Sequence, residues 1–290
     1  MTLTLSAPAK LNLTLDILGS TPDGYHQLDS VMICASLCDT LTLIRGGGAG
    51  LRLSCSDPAL PTGEDNLVLC AARAFFAYTG KEPGGLELAL TKRIPAQAGL
   101  GGGSADAAAA LVGLNELYGA GLTRPKLMEI GLTIGSDLPF CLLGGCACAG
   151  GRGERLAELP PLPEEAVFVI AKPPGGMSTR RAFELYDRSG CNPQPRTQAM
   201  VSAINAGDLE AIGKALSNTF EPALPLPGTD RLKQAMLAHG ALGATMTGSG
   251  SAAFGLFAGE ELAAACLDKL QAQVDFACTA YPLTHGPKII

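Results

Sequence analysis

A run of glycines that begins at Gly99 has the composition of a phosphate-binding loop. Residues 99–104 read Gly-Leu-Gly-Gly-Gly-Ser, and they lie between a predicted strand and an alanine-rich predicted helix. Three consecutive glycines leave no Cβ where the backbone must approach a ligand closely. The first turn of the helix adds unpaired N–H groups at the positive end of its dipole. The segment therefore predicts a phosphate site, and its alternative is a flexible turn before a tightly packed helix.

This segment fits neither of the two commoner phosphate loops. A Walker A loop requires Lys-Ser or Lys-Thr after the glycines, and here Ser104 is followed by Ala105. The glycine spacing also does not fit the G-x-G-x-x-G loop of a dinucleotide fold. The sequence therefore predicts a polyphosphate site of a third kind.

Two charged residues outside the loop have the chemistry of phosphoryl transfer, which needs a proton acceptor and a cation. Asp137 precedes an apolar Leu-Pro-Phe run, where partial desolvation favours a basic carboxylate, although capping of the following turn is an equal alternative. Lys10 lies on a predicted strand within reach of a phosphate oxygen and Asp137, and its alternative is a solvated edge-strand lysine. Asn12 shares that strand face and either binds substrate or faces solvent.

Three motifs in order along the chain resemble the signatures of the GHMP kinase superfamily. They are Ala-Pro-Ala-Lys-Leu-Asn-Leu at 7–13, the loop and helix at 95–110, and Met-Thr-Gly-Ser-Gly-Ser-Ala at 246–252. The resemblance implies an α+β, two-domain GHMP kinase fold with the active site in the interdomain cleft. It also implies that the loop wraps the triphosphate of ATP, that Lys10 is the catalytic lysine and that Asp137 accepts the proton.

Further motifs resemble one family of that superfamily, the 4-diphosphocytidyl-2-C-methyl-D-erythritol kinases. Residues 22–28 (Pro-Asp-Gly-Tyr-His-Gln-Leu) resemble their D-G-Y-H-x-L element, and residues 135–140 resemble their G-A-D-V-P-F. The resemblance implies ATP-dependent phosphorylation of the 2-hydroxyl of that cytidine diphosphate compound, in non-mevalonate isoprenoid precursor biosynthesis. It further implies that Tyr25 stacks on the cytosine ring and that His26 binds its polar edge. Taken alone, these residues are equally consistent with a tyrosine packed on its own turn and a surface histidine.

The remaining predicted site residues surround the two nucleotides. Those expected at ATP are Pro95, Ala96, Gln97, Ala98, Gly99, Leu100, Gly101, Gly102, Gly103, Ser104, Ala105 and Asn66. Those expected at the acceptor are Asn12, Tyr25, His26, Thr179, Phe183, Gly248 and Ser249. The alternatives are core packing for Phe183, helix capping for Ser104, a helix start for Asn66 and a tight hairpin for the Gly248 turn. Mg²⁺ is expected to bridge the phosphates, and no protein ligand is assigned to it.

Three residues depart from the pattern of that family. Gln97 stands where a small residue is usual, Ala105 where a second serine is common, and Cys70 where a basic residue is frequent. The departures concern nucleotide affinity and the adenine pocket, and they leave the predicted reaction class unchanged.

The bulk composition excludes several classes of partner. The formal net charge is −6, which does not favour a nucleic acid, and no apolar run approaches the roughly 20 residues that span a bilayer. The first residues lack the pattern of a signal peptide, so we expect a cytoplasmic protein, either a monomer or a weak homodimer. The 10 cysteines are expected to be reduced thiols, and Cys141, Cys146 and Cys148 lack the spacing of a zinc site.

Hydrophobic periodicity predicts strands in the first third of the chain and more helices behind. We expect a hairpin of residues 41–43 with 51–55, a helix from Asn66 to about Tyr78 capped by Asp65, and a strand over 86–90. Helices to about Tyr118 and over 125–134 follow, and then a buried strand over 167–171. The proline-rich and charged stretch at 152–165 predicts two domains, residues 1–155 and 156–290.

Two rival functions follow from the same residues. One is another GHMP enzyme, such as a homoserine or mevalonate kinase, against which the Gly24-Tyr25-His26 element argues. The other is a catalytically inactive nucleotide-binding sensor with the same fold, against which the presence of both Lys10 and Asp137 argues.

Overall fold

A computed structural model describes residues 1–20, 26–46, 50–191 and 194–290. The strands are β1 (Thr2–Ser20), β2 (His26–Arg45), β3 (Leu51–Cys55), β4 (Leu86–Thr91), β5 (Cys146–Gly151), β6 (Arg155–Leu159), β7 (Ala166–Lys172), β8 (Ser217–Asn218), β9 (Gly243–Met246), β10 (Ala253–Ala258), β11 (Phe276–Ala280), β12 (Pro282–Leu283) and β13 (Lys288–Ile289). The helices are α1 (Leu67–Thr79), α2 (Gly102–Leu117), α3 (Arg124–Leu132), α4 (Leu138–Leu143), α5 (Thr179–Ser189), α6 (Thr197–Ala206), α7 (Leu209–Ala215), α8 (Pro227–Ala238) and α9 (Glu260–Gln271), with a 3₁₀ turn at Glu221–Ala223. None of these helices is both long enough and apolar enough to cross a membrane.

The larger sheet is organised around the long antiparallel pair of β1 and β2. Its central order is β13-β1-β2-β4-β3, while β5 and β12 also pair with β2, β6 pairs with β5, and β8 pairs with β1. The apolar residues at the start of β1 and the end of β2 pack with α1 and the alanine-rich α2. The small side chains of α2 allow this helix to lie close to the sheet, as Gly113 shows: a Cβ there would come within 2.8 Å of Leu5.

The predicted hairpin of residues 41–43 with 51–55 is wrong. Strand β4 lies between β2 and β3, pairing antiparallel with β2 and parallel with β3. The alternation of apolar and polar residues identified both segments correctly as strands, but β4, which comes later in the sequence, lies beside β2 in the place predicted for β3. Short-range patterns predict which segments are extended and do not determine which segments pair.

The predicted cap of α1 is also wrong, by one residue. The Asn66 side chain, rather than that of Asp65, accepts the hydrogen bond from the Val68 backbone N–H at 2.9 Å. The other predicted elements are confirmed with shifts of a few residues at their ends: β4, α2, α3 and the buried strand β7. Helix ends are commonly displaced by this much, since a cap depends on one side chain.

The smaller sheet has the order β11-β7-β10-β9. One face packs on α8 and α9 through an apolar cluster that includes Phe257 and Cys266. The other face meets the middle of β1 together with α6 and α7. The turn between β9 and β10 therefore lies close to β1, and this turn carries the motif at 246–252.

Four polar residues in the middle of β1 are as buried as the apolar residues between them. Lys10, Asn12, Thr14 and Asp16 are all at most 4% exposed. Asp16 accepts hydrogen bonds from the backbone N–H groups of Arg196 and Thr197, each at 2.8 Å. A side chain of β1 thus provides acceptors for N–H groups at the start of α6, which have no partner within the helix. Buried polar groups are nearly always hydrogen-bonded, and for Thr14 and Asp16 partners come from the second half of the chain.

The division into residues 1–155 and 156–290 stays a prediction. The larger sheet draws β8, β12 and β13 from the second part of the chain, so the two predicted parts share one sheet.

Candidate active site

A cavity of about 510 Å³ lies between the glycine loop, β1, α5 and the turn after β9. Most of the residues predicted from the sequence line it. They are Lys10, Asn12, Asn66, Pro95, Ala96, Gln97, Ala98, Gly99, Leu100, Gly101, Gly102, Gly103, Ser104, Asp137, Thr179, Phe183, Gly248 and Ser249. Ala105 is fully buried beneath the loop, and His26 lies behind Phe183. Tyr25 lies outside the described residues.

The glycine loop passes directly into α2, whose N-cap is Gly101. Gly101 has φ +67°, and a Cβ there would lie 2.7 Å from Cγ of Lys10. The Lys10 backbone N–H donates to the Leu100 carbonyl at 3.0 Å. Ser104 lies inside the first turn of α2, so the capping alternative for this residue is wrong. The loop and the strand of Lys10 are thus in backbone contact.

The turn after β9 packs against the opposite side of the loop. A Cβ on Gly99 would come within 2.0 Å of the Thr247 carbonyl oxygen, and the Thr247 hydroxyl donates to the Gly99 carbonyl at 3.2 Å. The Asn218 side-chain amide holds the turn from below by donating to the carbonyls of Met246 and Gly248. Strands β9 and β10 pair as an antiparallel hairpin, which was the alternative interpretation of the Gly248 turn. The turn therefore connects a hairpin and also lines the cleft.

Lys10 and Asp137 meet at the centre of the cleft. The distance from Lys10 Nζ to Asp137 Oδ2 is 3.8 Å, and the two side chains are 5% and 40% exposed. A solvated edge-strand lysine is therefore excluded. Asp137 occupies the N-cap position of α4, yet its side chain makes no capping hydrogen bond, so its carboxylate stays directed to the cleft and to Lys10.

The ammonium group of Lys10 is held by a chain of side-chain hydrogen bonds. Lys10 Nζ donates to Asn12 Oδ1 at 2.5 Å, Asn12 Nδ2 donates to Ser30 Oγ at 2.9 Å, and Ser30 Oγ donates to the Thr14 carbonyl. This chain also fixes the Asn12 amide with its oxygen toward the lysine. The solvent-facing alternative for Asn12 is wrong, because the residue is 3% exposed.

The aromatic side chains at the other end of the cleft are stacked on each other. The rings of His26 and Phe183 lie 4.4 Å apart at 22°, and Phe183 meets Phe220 edge-on. His26 Nε2 pairs with Asp187 Oδ1 at 2.7 Å, and its side chain is 12% exposed, so it is not a surface histidine. Thr179, one turn before Phe183 on α5, lies 3.2 Å from the Ser249 hydroxyl. Phe183 therefore both packs and lines the cavity.

Two residues at the nucleotide side carry features that the sequence left open. Asn66 caps α1 and also lines the cavity. Its two interpretations, as a helix start and as a residue of the pocket, are therefore compatible. Gln97, a non-glycine residue, has a positive φ of +52°, in a region where side chains are disfavoured. This backbone geometry explains why a small residue suits the position.

The sequence reasoning missed a buried ionic cluster beneath the loop. The Lys92 ammonium bonds both Asp39 and Asp106, at 2.6 Å in the second case, and the three side chains are at most 8% exposed. Burial is the main cause that raises the pKa of Asp106 to about 8, against the lowering effect of Lys92. One carboxyl oxygen of Asp106 has no hydrogen-bond partner among the described atoms. Asp106 lies within the motif at 95–110, and a charged residue among glycines and alanines was the signal in the sequence.

The cysteines behave as the sequence predicts. All 10 are unpaired, and burial raises the pKa of Cys34 and Cys146 to about 12, so these thiols stay protonated and unreactive. Within the described ranges, no cluster of three or more His, Cys, Asp or Glu residues is arranged to hold a metal ion.

Comparison with known proteins first defines the class. The model of the GHMP kinases N terminal domain matches residues 66–145, and that of the GHMP kinases C terminal domain matches residues 200–275. The chain is thus a GHMP kinase, which confirms the predicted fold class.

The relatives then narrow the family. The 4-diphosphocytidyl-2-C-methyl-D-erythritol kinase of Pelotomaculum thermopropionicum is 46% identical over 91% of this chain and 92% of its own length. A crystal structure of 4-(cytidine 5'-diphospho)-2C-methyl-D-erythritol kinase superposes with a TM-score of 0.80 at 34% identity, covering 97% of this chain and 99% of that one. The chain belongs to the family of 4-diphosphocytidyl-2-C-methyl-D-erythritol kinases.

The fold alone does not separate this family from others. A homoserine kinase from Cytophaga hutchinsonii also has a TM-score of 0.80, covering 100% of this chain and 97% of that one, but at 22% identity. That likeness concerns the fold and carries no statement about the acceptor.

Substitution of Gly101 by alanine tests the contact between the loop and Lys10. Gly101 and Gly80 have φ +67° and +65°, but a Cβ on Gly80 meets nothing within 4 Å. Both Gly101→Ala and Gly80→Ala should lose about 1–2 kcal/mol of unfolding free energy from the left-handed backbone. Gly101→Ala should also displace Lys10 and lower kcat by about 10²-fold, measured by ADP release. Equal rates for the two variants would contradict the proposed contact.

The raised pKa of Asp106 predicts a pH dependence of stability. Its pKa rises from 3.8 to about 8 on folding, so between these values the folded protein keeps a proton that the unfolded chain has released. The stabilising contribution is complete below the unfolded pKa and is lost progressively as the pH rises to about 8. Urea unfolding across this range should show a shallower decline for Asp106→Asn than for the wild type.

The exposed Asp268 offers a matched control for that measurement. Asp268→Asn should leave the pH profile of the wild type unchanged. A decline of equal slope in Asp106→Asn and the wild type would show that Asp106 does not bind the proton.

Proposed function

We propose that this protein transfers the γ-phosphoryl group of ATP to the 2-hydroxyl of 4-diphosphocytidyl-2-C-methyl-D-erythritol, giving the 2-phosphate and ADP, in non-mevalonate isoprenoid precursor biosynthesis. The observation that carries the proposal is the family membership, at up to 46% identity over nine-tenths of the chain. A cleft in which a glycine loop, a buried lysine and a partly exposed carboxylate converge supports it chemically.

Asp137 is the proposed proton acceptor. Its carboxylate is 40% exposed toward the cleft and makes no capping bond, so an alcohol can reach it. As the acceptor oxygen forms its bond to the γ-phosphorus, the hydroxyl proton passes to Asp137 and the bond from the γ-phosphorus to the ADP oxygen breaks. Such a positioned base contributes about 10²–10⁴ to the rate.

Lys10 is the proposed cation that stabilises the transferring group. Phosphoryl transfer spreads charge over the equatorial oxygens, and catalysis relies on fixed positive groups there. The Asn12 amide oxygen and the carboxylate of Asp137 hold the Lys10 ammonium from two sides. A lysine held in this way needs little rearrangement when the phosphate arrives.

The proposed ATP site consists of backbone N–H groups of the loop, the hydroxyl of Ser104 and the pocket beside Asn66. Mg²⁺ is proposed to accompany ATP, since this ion binds phosphate oxygens together with waters and few protein groups. The Ser104 hydroxyl lines the cavity and would hold the ion with the phosphates. When bound, the ion would neutralise charge on the β- and γ-phosphates.

The proposed acceptor site lies at the end of the cleft formed by α5. The resemblance assigns the cytosine ring to Tyr25 and His26, and we place Phe183 and Thr179 on the other side of the cytidine, with Asn12, Gly248 and Ser249 along the rest of the acceptor. In the structure His26 stacks on Phe183. Cytosine binding next to Phe183 would therefore exchange one ring stack for another. We also propose a cytoplasmic monomer or weak homodimer, with domains at 1–155 and 156–290.

A panel of acceptors tests the proposed reaction. A coupled ADP-release assay with the cytidine diphosphate acceptor should give a kcat/KM that exceeds those for homoserine and mevalonate by about 10³-fold or more, because a pocket built to hydrogen-bond one substrate rejects those that leave its polar groups unpaired. Turnover of homoserine or mevalonate instead would assign another GHMP acceptor. Nucleotide binding without turnover of any acceptor would indicate the sensor.

Asp137→Asn tests the role of the base while keeping the size of the side chain. Loss of the proton acceptor should lower kcat by about 10²–10⁴ and leave the KM for ATP nearly unchanged. Asp268→Asn, at an exposed position of α9, is the control and should behave as the wild type. An unchanged kcat in Asp137→Asn would leave Asp137 a structural residue of the turn before α4.

A further inference from the structure

The segment of the chain that enters the glycine loop is fixed by one buried carboxylate. Asp39 on β2 is fully buried, and its Oδ1 accepts hydrogen bonds from the backbone N–H groups of Arg93 at 2.5 Å and Ile94 at 2.8 Å. These residues follow β4 directly and lead into Pro95. Asp39 thus determines where the loop begins.

The segment that leaves the loop carries a second buried carboxylate. Asp106 lies in the second turn of α2 and is 2% exposed. Its position on a helix that packs on α1 and the sheet is rigid. Asp106 therefore marks where the loop ends.

Lys92 connects these two points. Its ammonium group bonds Asp39 on one side and Asp106 on the other, and it is 8% exposed. A Cβ on Gly102, the first residue of α2, would lie 3.3 Å from Lys92 Nζ. The ammonium group thus lies beside the first turn of α2, and Lys92 and Asp106 are themselves among the residues that line the cavity.

We propose that Lys92 is a positioning residue for ATP binding, which fixes the spacing between the entry and the exit of the glycine loop through Asp39 and Asp106. The inference rests on the proposed use of this loop as the ATP site. The loop contains three consecutive glycines, so its own side chains constrain it little. A loop that is already held in its bound conformation loses less conformational entropy when a ligand binds. The contacts of Lys92 with Asp39 and Asp106 hold the two ends of the loop in this way.

The chemistry of the cluster agrees with a specific role in positioning. A buried ion pair is weak evidence for stability alone, because apolar residues of similar volume often stabilise a protein as well or better. Asp106 bonds Lys92 through one carboxyl oxygen, and its other oxygen has no hydrogen-bond partner among the described atoms. A role in positioning the loop therefore explains this cluster better than a contribution to the stability of the core.

Two variants separate positioning from stability. Lys92→Met removes the brace and leaves two carboxylates without their cation. The double variant with Lys92→Met and Asp106→Leu replaces the contact between these two residues by an apolar one, while Asp39 loses its cation and keeps its two backbone donors. Its thermal unfolding is measured alongside, so that binding is compared only in folded protein. In both, calorimetric titration with a non-hydrolysable ATP analogue should show a Kd raised by about tenfold or more. The KM for the acceptor should change by less than about twofold, because the acceptor end of the cleft is untouched.

Two controls accompany these variants. Lys126→Met removes an exposed lysine that pairs with Glu129 outside the cleft, and its Kd should equal that of the wild type. Cys266→Ala truncates a buried side chain of α9, so it should lower Tm and leave the Kd unchanged.

The possible outcomes are distinct. An unchanged Kd in the folded double variant, or an equal rise in Cys266→Ala, would overturn the role of Lys92. If the wild type failed to bind the analogue, the proposed function would fail and this inference with it. Binding by the wild type without turnover of the cytidine acceptor would overturn the acceptor alone and leave the role of Lys92 standing.

Discussion

The cleft depends on the close approach of three backbone segments that are far apart in the sequence: β1, the glycine loop and the turn after β9. A Cβ on Gly99 would overlap the Thr247 carbonyl, and one on Gly101 would overlap the Lys10 side chain. Because the Lys10 N–H also donates to the Leu100 carbonyl at 3.0 Å, a backbone hydrogen bond fixes the distance between the loop and the strand that carries the lysine. Catalytic groups held on rigid elements keep the geometry that phosphoryl transfer requires.

The same constraint explains why polar residues alternate along β1. From Lys10 through Asn12 and Ser30 to Thr14, each buried polar side chain meets another, and Thr14 then meets the Thr197 hydroxyl of α6 at 2.8 Å. A buried polar group without a partner costs about 1–3 kcal/mol. The chain of hydrogen bonds therefore joins the proposed catalytic lysine to the helices of the second half while it satisfies the strand.

Local patterns in the sequence identified several elements and most of the predicted residues that line the cleft, because glycine runs, alternation and motif order are local properties. They failed for the partner of β3, since β4 lies between β3 and β2 and pairing depends on the whole sheet. They also failed for Lys92 and Asp106. A lysine at a strand end and an aspartate in a helix are usually solvated, and only the packing of α2 onto the sheet shows that both are buried together.

The two ends of the cleft are built from different parts of the chain, and this bears on how one fold accepts different acceptors. The proposed phosphate end consists of backbone N–H groups and glycines, which substitution of neighbouring side chains leaves in place. The proposed acceptor end consists of side chains on α5, whose buried residue is Ala182, and of the stack between His26 and Phe183. The choice of acceptor then rests on few side chains, which can change without loss of the loop, the lysine or the turn that holds them together.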